Sequence, residues 1–204
     1  MPFVELEDKR RLLFIHVPKT GGTSVEGWMR TLAPLRFHEV QIPKAMKCTP
    51  QHLRMSDFNI LFGRGYFDHA FMIVRNPYDR IASEYRMRAA IHAASFVRMW
   101  PSFSHWLEAQ LDQMAGNRWI LDNHLRPQWE FHGGRVEVFR LEDGLDTALA
   151  TVAGRLGLPA PESVPHDLKT GGGDVTVEWD LSDRLRVEEV YARDFAEFGY
   201  EKRR

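Results

Sequence analysis

The stretch of this 204-residue chain that most constrains its fold is Arg11–Val17, RLLFIHV, running directly into Pro18-Lys19-Thr20-Gly21-Gly22. A short, nearly continuous apolar run reads as a buried strand. Behind the glycines, Val25, Trp28, Met29 and Leu32 recur at helical spacing. Thr23 or Ser24 is placed to cap that helix, and Pro34 marks its end. The loop itself, HVPKTGGTS from His16 to Ser24, has the composition of an anion cradle. Glycines let successive amides face one anion, the helix N-terminus adds partial positive charge, and Lys19 adds a full one. Thr20, Thr23 and Ser24 supply hydroxyls.

The rest of the chain repeats the alternation. A second apolar run, Ala70–Val74, predicts a strand, and Asn76-Pro77 starts a helix that continues to about Ala90 with Ile81, Tyr85 and Ala89 on one stripe. A short helix is expected near Gln51–Phe58, and two more over Phe103–Met114 and Trp119–Trp129. Val136–Leu141 predicts a third strand. Leu145, Leu149, Val152 and Leu156 predict a helix closed by Gly157 and Pro159, and a final helix spans about Ser182–Phe198. Strands alternating with helices imply an α/β chain with a parallel sheet covered on both faces. The length fits one domain, 1–204.

Composition narrows the function. With 27 Lys+Arg against 28 Asp+Glu, the formal charge is −1, so binding nucleic acid by bulk charge is excluded and any anion site is local. The single Cys48 excludes an internal disulfide and a Cys-rich zinc site. Ala70–Val74 is the longest apolar run, far short of the ~20 residues of a membrane helix. The glycine-rich loop is not a nucleotide-hydrolysing P-loop, which needs GxxxxGK[ST]: Lys19 precedes Gly21-Gly22. The strand at Ala70–Val74 also runs into Arg75 rather than a metal-binding Asp, so a magnesium-dependent kinase is disfavoured.

A second candidate anion site lies in FMIVRNPYDRIASEYR, Phe71–Arg86. Arg75 stands at a strand end and Ser83 two turns into the next helix, a bidentate donor and a hydroxyl. Taken together, PKTGGTS and VRNPYDRIASEY resemble the sulfotransferases that use 3′-phosphoadenosine 5′-phosphosulfate (PAPS), in particular the carbohydrate-type family 2 group. The resemblance continues through TPQH (Thr49–His52), NHLRPQ (Asn123–Gln128), VFRLEDG (Val138–Gly144) and YARDFAEFGY (Tyr191–Tyr200).

That resemblance implies a three-layer P-loop-type α/β fold, with a central, mostly parallel sheet flanked by helices on both faces. It implies sulfuryl transfer from PAPS to an acceptor hydroxyl, expected on a carbohydrate, with no metal. Lys19, Thr20, Gly21, Gly22, Thr23 and Ser24 would hold the 5′-phosphosulfate, with Lys19 also catalytic. Arg75 and Ser83 would hold the 3′-phosphate, and Lys169 and Thr170 in HDLKTGGG (His166–Gly173) would close over the nucleotide. The general base is expected at His52, with His124 second and Arg126 and Gln128 as acceptor contacts. Some relatives carry Gly-His shortly before the second motif, where this chain has Gly63-Arg64. His16 and Glu142 read as structural, and Trp100, Trp106, Trp119 and Trp129 as core. A cytoplasmic enzyme is expected, unlike the membrane-anchored animal relatives. A kinase or NTPase, or a nucleotide-binding protein that has lost catalysis, is the alternative.

Overall fold

A computed structural model describes residues 1–38, 41–93, 99–161 and 175–203. The chain falls into two compact units, one of Met1–Arg75 with Gln128–His166, the other of Asn76–Pro127 with Asp167–Arg204. Among the described residues there are four strands and seven α-helices.

The first unit holds the sheet. Its strands are β1 (Phe3–Glu5), β2 (Arg11–Ile15), β3 (His69–Val74) and β4 (Glu137–Arg140), in spatial order β1-β2-β3-β4. β2, β3 and β4 run parallel, with Ile15 opposite Met72 and Met72 opposite Val138. β1 is antiparallel to β2 and pairs Phe3 with Leu13. Leu12, Leu13, Phe14 and Ile15 are all fully buried, as are Phe71, Met72, Ile73 and Val74. Alternate side chains point to opposite faces, so both faces of the two central strands are dry. The edges are short, and β4 carries Glu137 and Arg140, which blunts edge-to-edge pairing.

Three helices belong to this unit: α1 (Gly22–Leu32), α2 (Met55–Phe62) and α5 (Leu145–Leu156). α1 buries Val25, Trp28 and Met29, and α5 buries Leu145, Ala148, Leu149, Val152 and Ala153. Both sets follow helical spacing, and they share one core with Leu12, Phe14, Phe71 and Ile73. Each large apolar side chain so buried contributes roughly 1.5–3 kcal/mol.

The second unit holds α3 (Pro77–Ala93), α4 (Phe103–Gly116), α6 (Leu181–Val190) and α7 (Ala192–Glu197). Its core is aromatic: Tyr78 meets Trp179 and Phe195 edge-on at 5.2 Å, and Tyr85 meets Phe103 and Trp106 at 5.3 Å. Trp106 is core as expected, whereas Trp100, Trp119 and Trp129 are half-buried.

Four local expectations are corrected. Thr23 and Ser24 do not cap α1. Gly21 precedes it with no side-chain cap, and its carbonyl already accepts from Ser24 and Val25. Trp119–Trp129 is not a helix but two 3₁₀ turns, Ile120–Asn123 and Gln128–Glu130, with Leu121, Asp122 and Asn123 all at positive φ. The segment near Gln51–Phe58 divides into a 3₁₀ turn, Pro50–His52, and α2. The last helix breaks at Tyr191 into α6 and α7. No helix among the described residues is long and apolar enough to cross a membrane.

Candidate active site

Within the first unit, the parallel pairing of β2 and β3 brings their C-terminal ends out at one edge, where ligands gather in open α/β sheets. The loop after β2 makes its turn at two left-handed residues, Lys19 (φ 69°) and Gly21 (φ 85°). Lys19 pays the strain of that conformation without a glycine's freedom, which is characteristic of functional loops. The Thr20 side chain is wholly buried and its hydroxyl donates to Val17 O at 2.8 Å, so it fixes the loop's shape. Lys19 and Ser24 are half-buried and Thr23 is exposed.

Gly22 is required by packing and Gly21 by its left-handed backbone. A Cβ on Gly22 would lie 1.9 Å from His16 Nε2, and one on Gly21 would lie 3.3 Å from the Leu141 side chain. The loop therefore folds closely onto the end of β2, and the first turn of α1 carries no acidic side chain to repel an anion. Amides at a helix N-terminus, a left-handed turn and Lys19 make a donor set that fits a phosphosulfate.

Arg75, the residue after β3, is half-buried and donates from Nη1 to Lys19 O at 3.3 Å. The two motifs are thus joined by a hydrogen bond. Gln128 holds Arg75 from the other side: the Arg75 amide donates to Gln128 Oε1 at 2.9 Å, and Gln128 Nε2 donates to Arg75 O at 2.8 Å. The wholly buried Gln128 side chain mimics a neighbouring strand and fixes the backbone from which Arg75 projects.

His52 ends the Pro50–His52 turn and is 7% exposed. Its ring packs edge-on against His16, centroids 5.0 Å apart, and its Nδ1 lies 3.3 Å from Thr49 Oγ1. His16 Nδ1 bonds Glu26 Oε1 at 2.8 Å, and Gln51 Nε2 donates to the same oxygen at 2.5 Å. Arg30 pairs with the other Glu26 oxygen at 3.2 Å. Burial pushes the Glu26 carboxyl up, but the His16 hydrogen bond and charge, with Gln51 and Arg30, outweigh it and hold Glu26 below its ordinary value. Glu26 and Gln51 were not singled out by sequence. Glu26 lies between Val25 and Trp28 on the apolar side of α1, the one signal that could have marked it.

The second unit carries further candidates. Ser83 is buried on α3. His124 Nδ1 bonds Glu84 Oε2 at 2.6 Å, and Arg88 Nε donates to Glu84 Oε1 at 2.7 Å. Burial raises the Glu84 carboxyl, but His124 and Arg88 overcome it and bring it down to about 2. Arg80 and Arg88 also donate to the carbonyls of His124 and Leu121. Arg126 is 3% exposed, donates to Asn123 Oδ1 at 2.9 Å and Arg118 O at 3.1 Å, and lies over the Trp119 ring. Lys169 and Thr170 lie outside the described residues.

No curated protein and no solved structure matches the chain significantly. One family does match, the Sulfotransferase family, over residues 4–201, which takes in both motifs and every strand but the first residue of β1. The chain belongs to the Sulfotransferase family.

Proposed function

We propose that the protein transfers the sulfuryl group of PAPS to an acceptor hydroxyl, and that this hydroxyl belongs to a carbohydrate, as the motif resemblance implies. The observation that supports this most is the bond from Arg75 to Lys19 O, which ties together the motifs the resemblance assigns to the two ends of the nucleotide. On this reading the whole chain acts as one domain of P-loop-type, three-layer fold, and no metal takes part.

The donor brings a sulfuryl group already activated by its phosphate link, so the protein supplies alignment and charge. The amides of Gly21, Gly22 and Thr23 and the hydroxyls of Thr23 and Ser24 hold the 5′ end, with Thr20 shaping the loop. Lys19 neutralises the charge that grows on the leaving phosphate. Arg75 and Ser83 bind the 3′-phosphate, which a bidentate guanidinium and a hydroxyl suit. The resemblance adds Lys169 and Thr170 as further nucleotide contacts. His52 takes the acceptor proton at Nε2, since Nδ1 faces Thr49 Oγ1. His124, held by Glu84, is the second candidate for that role. Arg126 is the acceptor contact that the resemblance implies. Gln128, whose amide is engaged by the Arg75 main chain, acts through Arg75.

Thermal stability with the product nucleotide 3′-phosphoadenosine 5′-phosphate (PAP), against ATP plus magnesium, tests the donor. A shift with PAP alone is expected, and a preference for ATP overturns the assignment of Arg75 and Ser83. Sulfate incorporation from labelled PAPS across acceptor classes tests the rest. Label confined to tyrosine peptides or small alcohols overturns the carbohydrate reading.

A further inference from the structure

The polar cluster beneath the phosphate loop is more elaborate than the loop's shape requires. Four side chains from three elements are gathered there, all nearly out of water: His16 at the end of β2 (7% exposed), Glu26 on α1 (4%), and Gln51 and His52 in the Pro50–His52 turn (9% and 7%). A buried carboxylate is unfavourable unless fully bonded, and this one has His16 and Gln51 on one oxygen and Arg30 on the other. Replacing such a cluster by apolar residues is often neutral or stabilising, so its presence calls for a role other than stability.

The connections point one way. Glu26 sits in the second turn of the helix whose N-terminus forms the loop. Through Gln51 it holds the turn that carries His52. Through His16 it holds the imidazole against which His52 packs, and the His16 ring occupies the space a Cβ on Gly22 would need. The same turn is tied down again by Cys48 Sγ, which donates to His52 O at 3.8 Å, and by the N-terminal amine, which donates to Pro50 O.

We propose that Glu26 is a positioning residue for the base: it locks the His52 turn and the phosphate loop into one register, so that proton acceptor and sulfuryl donor stay aligned. This rests on the assignment of His52 above. Glu26 takes no proton from the substrate. It acts by holding Gln51 and His16, as outer carboxylates orient working imidazoles elsewhere.

The test uses PAPS hydrolysis, in which water replaces the acceptor and no acceptor need be known. Water attacks sulfur and the S–O bond to phosphate breaks; one water proton passes to His52, the other leaves to solvent as hydrogen sulfate ionises, and sulfate and PAP are the products. Glu26→Gln and His52→Ala are made singly and together, with PAP affinity measured by calorimetry. Glu26→Gln is expected to slow PAPS turnover by about 10- to 100-fold while PAP affinity stays within about twofold. The double variant is expected to be no slower than His52→Ala, because residues that act as one unit are not additive.

Normal turnover in Glu26→Gln, or losses that add fully in the double variant, overturn the proposal and leave the base assignment intact. Equal loss of PAP affinity and turnover in Glu26→Gln makes Glu26 a loop-building residue and also overturns it. Normal turnover in His52→Ala overturns the base assignment and this proposal with it. Should Glu26→Gln fail to fold, Gln51→Leu severs the link to the turn alone and carries the same expectations in milder form.

Discussion

At the scale of single residues, the phosphate loop is governed by contacts too close for substitution. Gly22→Ala would place a methyl 1.9 Å from His16 Nε2, so the imidazole or the loop must shift. We expect a loss of about 1–3 kcal/mol in thermal or denaturant unfolding, together with loss of the PAP-induced shift. Gly27, in the same helix with nothing within 4 Å of an added Cβ, is the control. Gly27→Ala should stabilise by roughly 0.5–1 kcal/mol and leave PAP binding unchanged. That Lys19, Gly21 and Gly22 form a tight turn behind a strand, and that Arg75 ends the next strand, was legible because glycine and cation spacing around a strand end is local. Glu84 was not, since its partner His124 comes from a distant segment and an acidic residue mid-helix reads as solvated. Its consequence is a pH dependence. Glu84 is brought from an ordinary 4.5 to about 2 in the fold, so its contribution is present above about pH 4.5 and is lost as pH falls toward 2. Glu26 acts in the same direction. Unfolding free energy measured across that window should fall steeply in the wild type and less so in Glu84→Gln.

At the scale of elements, the apolar runs that became β2, β3 and β4 and the stripe of α5 were readable because each needs only its own residues. β1 was not: three residues acquire strand geometry only by pairing with Leu12 and Leu13. The stretch Trp119–Trp129 has apolar residues at near-helical spacing, yet its carbonyls are claimed by side chains from elsewhere. Leu121 O takes Arg88, His124 O takes Arg80, and Leu125 O takes the Tyr191 hydroxyl at 2.6 Å. Pro127 has no amide to give back. Competition for backbone acceptors is invisible to periodicity. Tyr191 also sits at the break between α6 and α7, wholly buried. Tyr191→Phe should therefore cost about 1–3 kcal/mol by leaving Leu125 O without that donor, read by chemical denaturation. Leu149→Ala in α5 should cost about 2–5 kcal/mol as a cavity in the sheet-helix core, with PAP affinity unchanged once the protein is folded.

At the scale of the whole molecule, a net charge of −1 goes with positive charges that are committed locally. Arg75 is spent on the loop, Arg30 on Glu26, Arg88 on Glu84 and Arg203 on Asp79. Nucleotide affinity should accordingly depend on the 3′-phosphate more than on ionic strength at large. PAP at a hundredfold excess over its Kd should raise stability by about 2.7 kcal/mol, or about 5–10 °C in Tm for a chain of this size. Adenosine 5′-phosphate, lacking the 3′ group, should fall well short of that in the same melt.

The side chain of Gln128 extends the ladder one residue past the end of β3 by bonding both main-chain groups of Arg75. Backbone just past the end of a strand ordinarily frays and trades its protons with solvent quickly. Here the Arg75 amide should behave as interior sheet, with slow deuterium uptake matching that of Val74, and Gln128→Ala should release it to rapid exchange. The terminus of a strand would thus keep time with its centre, and the guanidinium would project from a backbone that is already still.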